Sequence, residues 1–87
     1  MKYTIVIKKI AEKFIVKLPQ PEKERVLKAI YQLPEGNDIR ELKGKKNEGL
    51  YRLRVGDYRV VYTIDDGKLI VYVVDVGNRG DIYKKYR

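Results

Sequence analysis

Residues 51–62, YRLRVGDYRVVY, decide the fold because they read as two β-strands joined by a tight turn. Apolar and polar side chains alternate on both sides of Gly56 and Asp57, and a Gly-containing dipeptide between two alternating runs is a strong hairpin signal. With these two residues in the loop, the register places Arg54 directly opposite Arg59.

The two faces of this hairpin differ in character, since successive side chains of a strand point to opposite sides of a sheet. One face carries Tyr51, Leu53, Val55, Tyr58, Val60, Tyr62 and Ile64. We expect helices to cover that apolar face. The other face carries Arg52, Arg54 and Arg59.

Like charges placed directly opposite each other destabilise a sheet. Two interpretations of the arginines are open. Acidic neighbours such as Asp57 or Asp75 neutralise them on a solvated face, or the arginines form a cradle for an anion. Guanidinium groups bind phosphate oxygens in bidentate geometry and keep their charge at any physiological pH, so the second interpretation predicts a phosphate.

The residues before the hairpin predict a strand followed by two helices. Residues 3–7, YTIVI, are β-branched and aromatic, which is typical of a strand. Pro19 separates the helices, Pro21 suits the first turn of the second helix, and Pro34 and Gly36 end it. Apolar residues recur at helical spacing in two sets: Ile10, Phe14, Ile15 and Leu18, then Val26, Leu27, Ile30 and Leu33.

Three antiparallel strands complete the predicted domain. They lie at 50–55, 58–64 and 68–76, after a polar loop over residues 35–49 that contains a short extended piece at IRELK. The fold class is therefore α+β: an N-terminal strand, a helical hairpin and a three-stranded antiparallel meander whose sheet packs on the helices, in a single domain over residues 1–87. The pattern leaves open where the first strand joins the sheet.

The composition limits the chemistry. The 87 residues include 20 basic and 12 acidic side chains, a formal net charge of +8 that attracts polyanions. Cysteine and histidine are absent, so we expect neither a metal nor another cofactor. No apolar run approaches the roughly 18 residues of a membrane span, and a chain without cysteine fits the cytoplasm.

The C-terminal tail, which leaves the predicted sheet at Gly77, interleaves aromatic and basic residues. It carries Arg79 past the end of the sheet and continues with Tyr83, Lys84 and Lys85. Rings between positive charges are suited to stacking on exposed bases and to binding phosphates. Three lysines of the preceding loop either extend this surface or are simply solvated: Lys43, Lys45 and Lys46.

Residues 42–84, LKGKKNEGLYRLRVGDYRVVYTIDDGKLIVYVVDVGNRGDIYK, resemble the second half of RelE-type toxins of bacterial and archaeal toxin–antitoxin pairs. The GxYRxxY pattern within GDYRVVY is shared across the RelE/ParE superfamily, whereas VGNRGDIY is similar to the RelE branch. The order of elements extends the resemblance over nearly the whole chain. It implies a metal-independent endoribonuclease that enters the ribosomal A site, contacts ribosomal RNA, cuts messenger RNA there and is held inactive by a RelB-like antitoxin.

The same resemblance implies roles for individual residues. Arg59 in GDYR matches the family's catalytic arginine, Arg79 in VGNR matches an arginine after the last strand, and Tyr83 matches a tyrosine that takes part in proton transfer. Arg52 and Arg54 stand where the best-known members carry two lysines, and we assign them to RNA binding. Five lysines are assigned to RNA binding with them: Lys43, Lys45, Lys46, Lys84 and Lys85.

Three alternatives are open. Glu48, just before the hairpin, is a second candidate for the general base, or a solvated carboxylate. A ParE-like protein would use the same scaffold to inhibit DNA gyrase without nuclease activity. A non-catalytic RNA-binding module would use the arginines for binding alone.

Overall fold

The structure, a computed structural model, describes residues 3–36 and 38–86, so residue 37 of the predicted loop lies outside it. Within these residues the strands are β1 Thr4–Ile7, β2 Ile39–Glu41, β3 Tyr51–Val55, β4 Tyr58–Asp65 and β5 Ile70–Asn78. The helices are α1 Lys9–Val16, α2 Gln20–Ile30 and α3 Arg79–Lys85, and a 3₁₀ turn spans Lys45–Asn47. None of the helices in this part of the chain is long and apolar enough to cross a membrane.

The strands form one sheet in the order β1-β5-β4-β3-β2. β1 runs parallel to β5, and all other neighbours are antiparallel. The predicted α+β class and the antiparallel meander are confirmed. The sequence left the place of β1 open, and the structure puts it beside the last strand of the meander. The extended piece predicted at IRELK is β2, which forms the opposite edge of the sheet.

Helices α1 and α2 cover the apolar face of the sheet. Buried residues from both layers form the core: Ala11, Ile15, Val26, Ile30, Leu33, Leu53, Val55, Val60, Tyr62, Val71, Val73 and Val76. The rings of Tyr51 and Tyr62 stack with their centroids 5.6 Å apart. The predicted apolar face of the hairpin is therefore correct.

Two details of the helical hairpin differ from the prediction. Ile10 is 58% exposed, because α1 turns Ala11 and Ile15 towards the sheet instead. Helix α2 ends at Ile30, before the predicted Pro34. The Leu33 N–H donates to the carbonyl of Ile30 at 3.0 Å, a three-residue spacing that tightens the chain into a turn.

A one-residue bulge interrupts β5. Tyr62 pairs with Val73, whereas its neighbour Val61 pairs with Asp75, so Val74 has no partner in the register with β4. An extra residue reverses which side of the sheet the following residues face. As a result Asp75 lies on the face opposite the core, on the same side as the arginines.

The tail also differs from the prediction. The sheet does not end at Gly77, because Gly77 and Asn78 still pair with Arg59 and Tyr58. Helix α3 then begins directly at the end of β5. Only Ile82 of this helix is buried, so its sequence contains no apolar repeat that would have indicated a helix.

Candidate active site on the arginine face

Four arginines lie in register on the face of the sheet opposite the core, which we call the arginine face: Arg40, Arg52, Arg54 and Arg59. Arg40 of β2 pairs with Arg52 of β3, and Arg54 pairs with Arg59 of β4. The predicted opposition of Arg54 and Arg59 is confirmed. These side chains, together with Asp38, Arg79 and Tyr83, line a cleft of about 250 Å³.

Asp38 is the acidic residue that neutralises part of this face. Its Oδ1 lies 3.3 Å from Nη1 of Arg52, and its Oδ2 lies 3.4 Å from Nη1 of Arg54. Asp57 and Asp75, the carboxylates expected from the sequence to take this role, do not pair with these arginines. The carboxylate of Asp75 is engaged elsewhere, and Asp57 provides a backbone carbonyl to the N–H of Arg79.

The local backbone fixes Asp38 over the arginines. Its φ of 56° lies in the left-handed region, which Asp tolerates better than most residues. Its backbone carbonyl also accepts a hydrogen bond from the N–H of Arg54 at 3.2 Å. Nothing in the composition of the loop indicates this conformation, which is why the sequence did not reveal it.

Arg59 is the more deeply buried of the two buried cations of the cleft, the other being Arg52 at 7% exposure. It is only 3% exposed, and its Nη1 donates to the carbonyls of Gly56 at 2.8 Å and Tyr58 at 2.9 Å. These carbonyls belong to its own turn and orient the guanidinium without neutralising it. Within residues 3–36 and 38–86 no carboxylate forms an ion pair with Arg59, and its buried Nε has no hydrogen-bond partner. An acceptor that enters the cleft would satisfy that donor.

Tyr83 brings a phenol to the same cation. The Arg59 Cζ atom lies 5.9 Å from the centroid of the Tyr83 ring, and the ring is 46% exposed. Hydrogen bonding to the Arg59 guanidinium is the main cause that lowers the pKa of Tyr83 below its ordinary value of 10.0. Burial, the next largest cause, raises this pKa, and the positive charges of Arg52, Arg59 and Arg79 each lower it.

The pKa of Tyr86, three residues later, is shifted in the opposite direction. Burial, followed by the charge and hydrogen bond of Asp75, raises the pKa of Tyr86 to about 12. Of these two phenols, only Tyr83 has an environment that favours the phenolate. A lowered pKa is the direction expected of a phenol that accepts a proton.

The predicted RNA-binding lysines lie around the cleft and not within it. Lys43 lines a neighbouring cleft of about 300 Å³, which it shares with Arg40, Arg52, Tyr83 and Tyr86. Four others are exposed or nearly so: Lys45 and Lys46 in the 3₁₀ turn, and Lys84 and Lys85 in α3. The Lys85 ammonium is bound to Asp75 at 2.7 Å, so its charge is already paired.

Three residues of this region were missed. Arg40 belongs to a strand of three residues, too short for alternation to reveal its face. Asp38 and Asn47 act through loop geometry that the sequence does not encode in any periodic way. Glu48 is exposed beside the 3₁₀ turn and does not line the arginine cleft. Among the described residues, no group of three acidic side chains is placed to hold a metal ion.

Comparison with known proteins gives a consistent result. Residues 5–83 match the model of the family described as ParE toxin of type II toxin-antitoxin system, parDE. The toxin RelE of Mycobacterium tuberculosis is 32% identical over 84 residues, which cover 94% of this chain and 87% of that protein.

Solved structures agree with the sequence matches. The toxin–antitoxin complex RelBE2 of Mycobacterium tuberculosis matches with a TM-score of 0.77 at 25% identity, covering 91% of this chain and 100% of the matched chain. The archaeal RelE–RelB complex of Pyrococcus horikoshii matches with a TM-score of 0.73 at 31% identity, covering 92% and 98%.

Proposed function

This chain belongs to the ParE toxin family of type II toxin–antitoxin systems, and from its likeness to the toxin RelE of Mycobacterium tuberculosis we propose that it is a RelE-type endoribonuclease which cuts messenger RNA in the ribosomal A site. In this proposal the 87 residues act as one domain in the cytoplasm, and a RelB-like antitoxin neutralises them. Ribosomal RNA is the second polyanion that the net charge of +8 would attract.

One observation carries the proposal: a buried arginine with an unpartnered donor lies beside a phenol of lowered pKa. Phosphate oxygens are acceptors that match the Nε–H of Arg59, and a phosphodiester would bring them into the cleft. Tyr83, which is 46% exposed and lines the same cleft, would then lie beside the bound phosphodiester. A surface used only for protein contact would not require a buried arginine without a counterion beside a phenol of lowered pKa.

The cleavage needs three proton and charge events. The 2′-hydroxyl loses a proton, its oxygen attacks the phosphorus, and the bond from phosphorus to the 5′ oxygen breaks as that oxygen gains a proton. The products are a 2′,3′-cyclic phosphate and a 5′-hydroxyl end. Tyr83 accepts the proton from the 2′-hydroxyl, water supplies the proton that the leaving 5′ oxygen gains, and Arg59 and Arg79 stabilise the additional negative charge on the phosphate in the transition state.

Arg52 and Arg54 hold the flanking phosphates in this scheme. Both are tied to Asp38 at 3.3 to 3.4 Å, and these ion pairs hold the two guanidinium groups at the cleft. Arginine is a poor proton acceptor, so neither residue serves as the base. The remaining lysines, Lys43, Lys45, Lys46 and Lys84, contribute long-range attraction to RNA from the rim.

The antitoxin partner is proposed by analogy with the RelB-bound toxins. Both matched structures are complexes of RelE-type toxins with their antitoxins, as their names state. A basic surface of this kind favours a partner that is acidic where it meets the arginines. We expect the antitoxin to cover the arginine cleft, or to lie close enough to exclude RNA from it.

Inhibition of DNA gyrase is the second candidate, because the matching family model is named for ParE toxins. The two functions separate in a translation extract. We would add the purified protein to actively translating and to ribosome-depleted reactions, and map new 5′ ends on the message.

The nuclease predicts cuts at A-site codons only during translation. These cuts should disappear with Arg59→Ala and persist with Arg25→Ala, which removes an exposed arginine of α2 outside the arginine cleft. An intact message in an active extract, combined with inhibition of purified gyrase, would contradict the nuclease and support the second candidate.

A further inference from the structure

The position of Tyr83 depends on how α3 is held against the sheet. Its ring is 46% exposed, so contacts of the ring itself do little to fix it. Arg59 and the other arginines of the cleft lie on one side, and Glu41, Lys43 and Tyr86 line the neighbouring cleft on the other. A shift of α3 would therefore move the phenol out of contact with Arg59.

Asp75 fixes the C-terminal end of α3. It is only 4% exposed, and its Oδ2 accepts from the Lys85 ammonium at 2.7 Å and from the Tyr86 hydroxyl at 3.1 Å. A buried carboxylate is costly unless it is paired, and both partners of this carboxylate come from the end of the chain beyond Tyr83. The bulge at Val74 is what turns Asp75 towards α3.

Asn47 fixes the same end from a second direction. It is 5% exposed, and its Nδ2 donates to the carbonyls of Lys43 at 2.7 Å and Tyr86 at 2.8 Å. The amide thereby joins the loop after β2 to the last described residue of the chain. Neither Asn47 nor Asp75 lines the arginine cleft.

The N-terminal end of α3 is held independently. The Arg79 N–H donates to the Asp57 carbonyl at 3.0 Å, and Ile82 packs on Gly77 so closely that an added Cβ would lie 3.1 Å from its side chain. Tyr83 lies between these two attachments. Loss of the C-terminal one would leave the helix held by its first turn and by Ile82 alone.

We propose that Asp75 and Asn47 are positioning residues that hold the C-terminal end of α3 and so keep the Tyr83 phenol against Arg59. The proposal rests on the proposed function, because the role of Tyr83 in cleavage is what makes its position matter. It assigns Lys85 a structural part in the same clamp, in place of the RNA contact predicted from the sequence.

The clamp is tested by following the titration of Tyr83 itself. Tyrosine labelled with ¹³C at the ring carbon that bears the hydroxyl reports each phenol separately in NMR spectra, with Tyr83→Phe used to assign the signal. We would compare the wild-type protein with Asp75→Asn, which removes the charge that binds Lys85, and with Tyr86→Phe, which removes one hydroxyl donor. Asp66→Asn is the matched control, because Asp66 also accepts a tyrosine hydroxyl, from Tyr3 at 2.7 Å, and does not line either cleft beside Tyr83.

We expect Asp75→Asn and Tyr86→Phe to move the Tyr83 titration back towards pH 10 and Asp66→Asn to leave it in place. If urea titrations show that the Asp75→Asn protein is unfolded, the Tyr86→Phe protein alone tests the positioning role. An unchanged Tyr83 titration in the folded variants overturns the positioning role. This readout does not depend on RNA cleavage, so a shifted titration in a protein that cuts no message would overturn only the proposed function.

Cleavage supplies a second readout through a double-mutant cycle. Asp75→Asn should lower kcat at least tenfold with little change in KM, because it displaces a proton acceptor and leaves the arginines in place. In a Tyr83→Phe background the same substitution should have no further effect, since its target is already absent. Equal losses in both backgrounds would show that Asp75 does not act through Tyr83 and would overturn the proposal.

Discussion

Arg54 and Arg59 lie directly opposite each other in the β3–β4 hairpin, yet only Arg54 has a carboxylate partner. The Arg54 side chain is 54% exposed and paired with Asp38, whereas Arg59 is 3% exposed, donates to two backbone carbonyls and lies beside the Tyr83 ring, with no carboxylate partner among the described residues. Of the two facing positive charges, that of Arg54 is therefore partly neutralised by Asp38, whereas that of Arg59 has no counterion among the described residues. A charge retained without a counterion is what an anion-binding site requires.

This arrangement predicts that Arg59 costs stability. Arg59→Met should leave the free energy of unfolding unchanged or raise it by up to about 1 kcal/mol, because methionine fills the site without a buried charge. The same substitution should abolish cleavage, because it removes the guanidinium that binds the phosphate. Urea denaturation measures the first effect and message cleavage the second. The exposed Arg25→Met should change stability by less than about 0.5 kcal/mol and leave cleavage intact. A large loss of stability in Arg59→Met would mean that its carbonyl contacts hold the hairpin together.

The lowered pKa of Tyr83 predicts a pH dependence of the cleavage rate. The phenolate is the form that accepts a proton, so kcat should rise with pH and level off above the pKa of Tyr83, which lies below 10. Tyr83→Phe should lower the rate about 10²- to 10⁴-fold and remove this rise. Single-turnover rates on programmed ribosomes measured across pH would test it. A Phe variant that keeps the wild-type rate and profile would exclude Tyr83 as the base.

Two tyrosines with raised pKa values predict a loss of stability in alkali. The pKa values of Tyr62 and Tyr86 are raised to about 12, the first by burial and the charge of Tyr51, the second by burial and Asp75. In the unfolded chain both phenols ionise near 10, so the unfolded state releases protons first and the free energy of unfolding falls as pH rises from about 10 to about 12. Tyr86→Phe should reduce this slope in denaturant titrations. An unchanged slope would contradict the raised pKa.

Gly77 predicts a packing effect on α3. Its Cβ, if present, would lie 3.1 Å from two carbons of Ile82, so Gly77→Ala should push the helix away and cost about 1 to 3 kcal/mol of stability. Gly80→Ala is the matched control in the same helix, because nothing lies within 4 Å of its Cβ. That substitution should be neutral or stabilise the helix by up to about 1 kcal/mol. Thermal unfolding measures the stability of both variants. Equal changes in the two variants would contradict a role for the close contact between Gly77 and Ile82.

The hairpin could be predicted almost completely from residues 51–62. Alternation defined both faces, and the Gly56 and Asp57 loop defined the register that opposes Arg54 and Arg59. The helical hairpin followed from apolar spacing and from prolines at its boundaries. These features are local, so the sequence pattern contains them.

The parts that could not be predicted depend on tertiary contacts. No local sequence signal indicates that β1 lies parallel to β5, because that pairing joins residues more than sixty positions apart. Helix α3 has a single buried residue and is stabilised by Asp75, Asn47 and Gly77, which belong to other elements. The residues that neutralise or complete the cleft, Asp38 and Arg40, come from a loop and a three-residue strand with no periodic signal.

The bulge at Val74 divides β5 into two segments whose side chains alternate in opposite phase. Val71 and Val73 of the first segment and Val76 of the second face the core, whereas Asp75 and Gly77 of the second segment contact α3. Removing the single spacer residue would exchange the two sides of the second segment, sending the Asp75 carboxylate towards the core and Val76 towards the arginines. The length of the strand, and not only its composition, therefore decides which of its side chains reach α3.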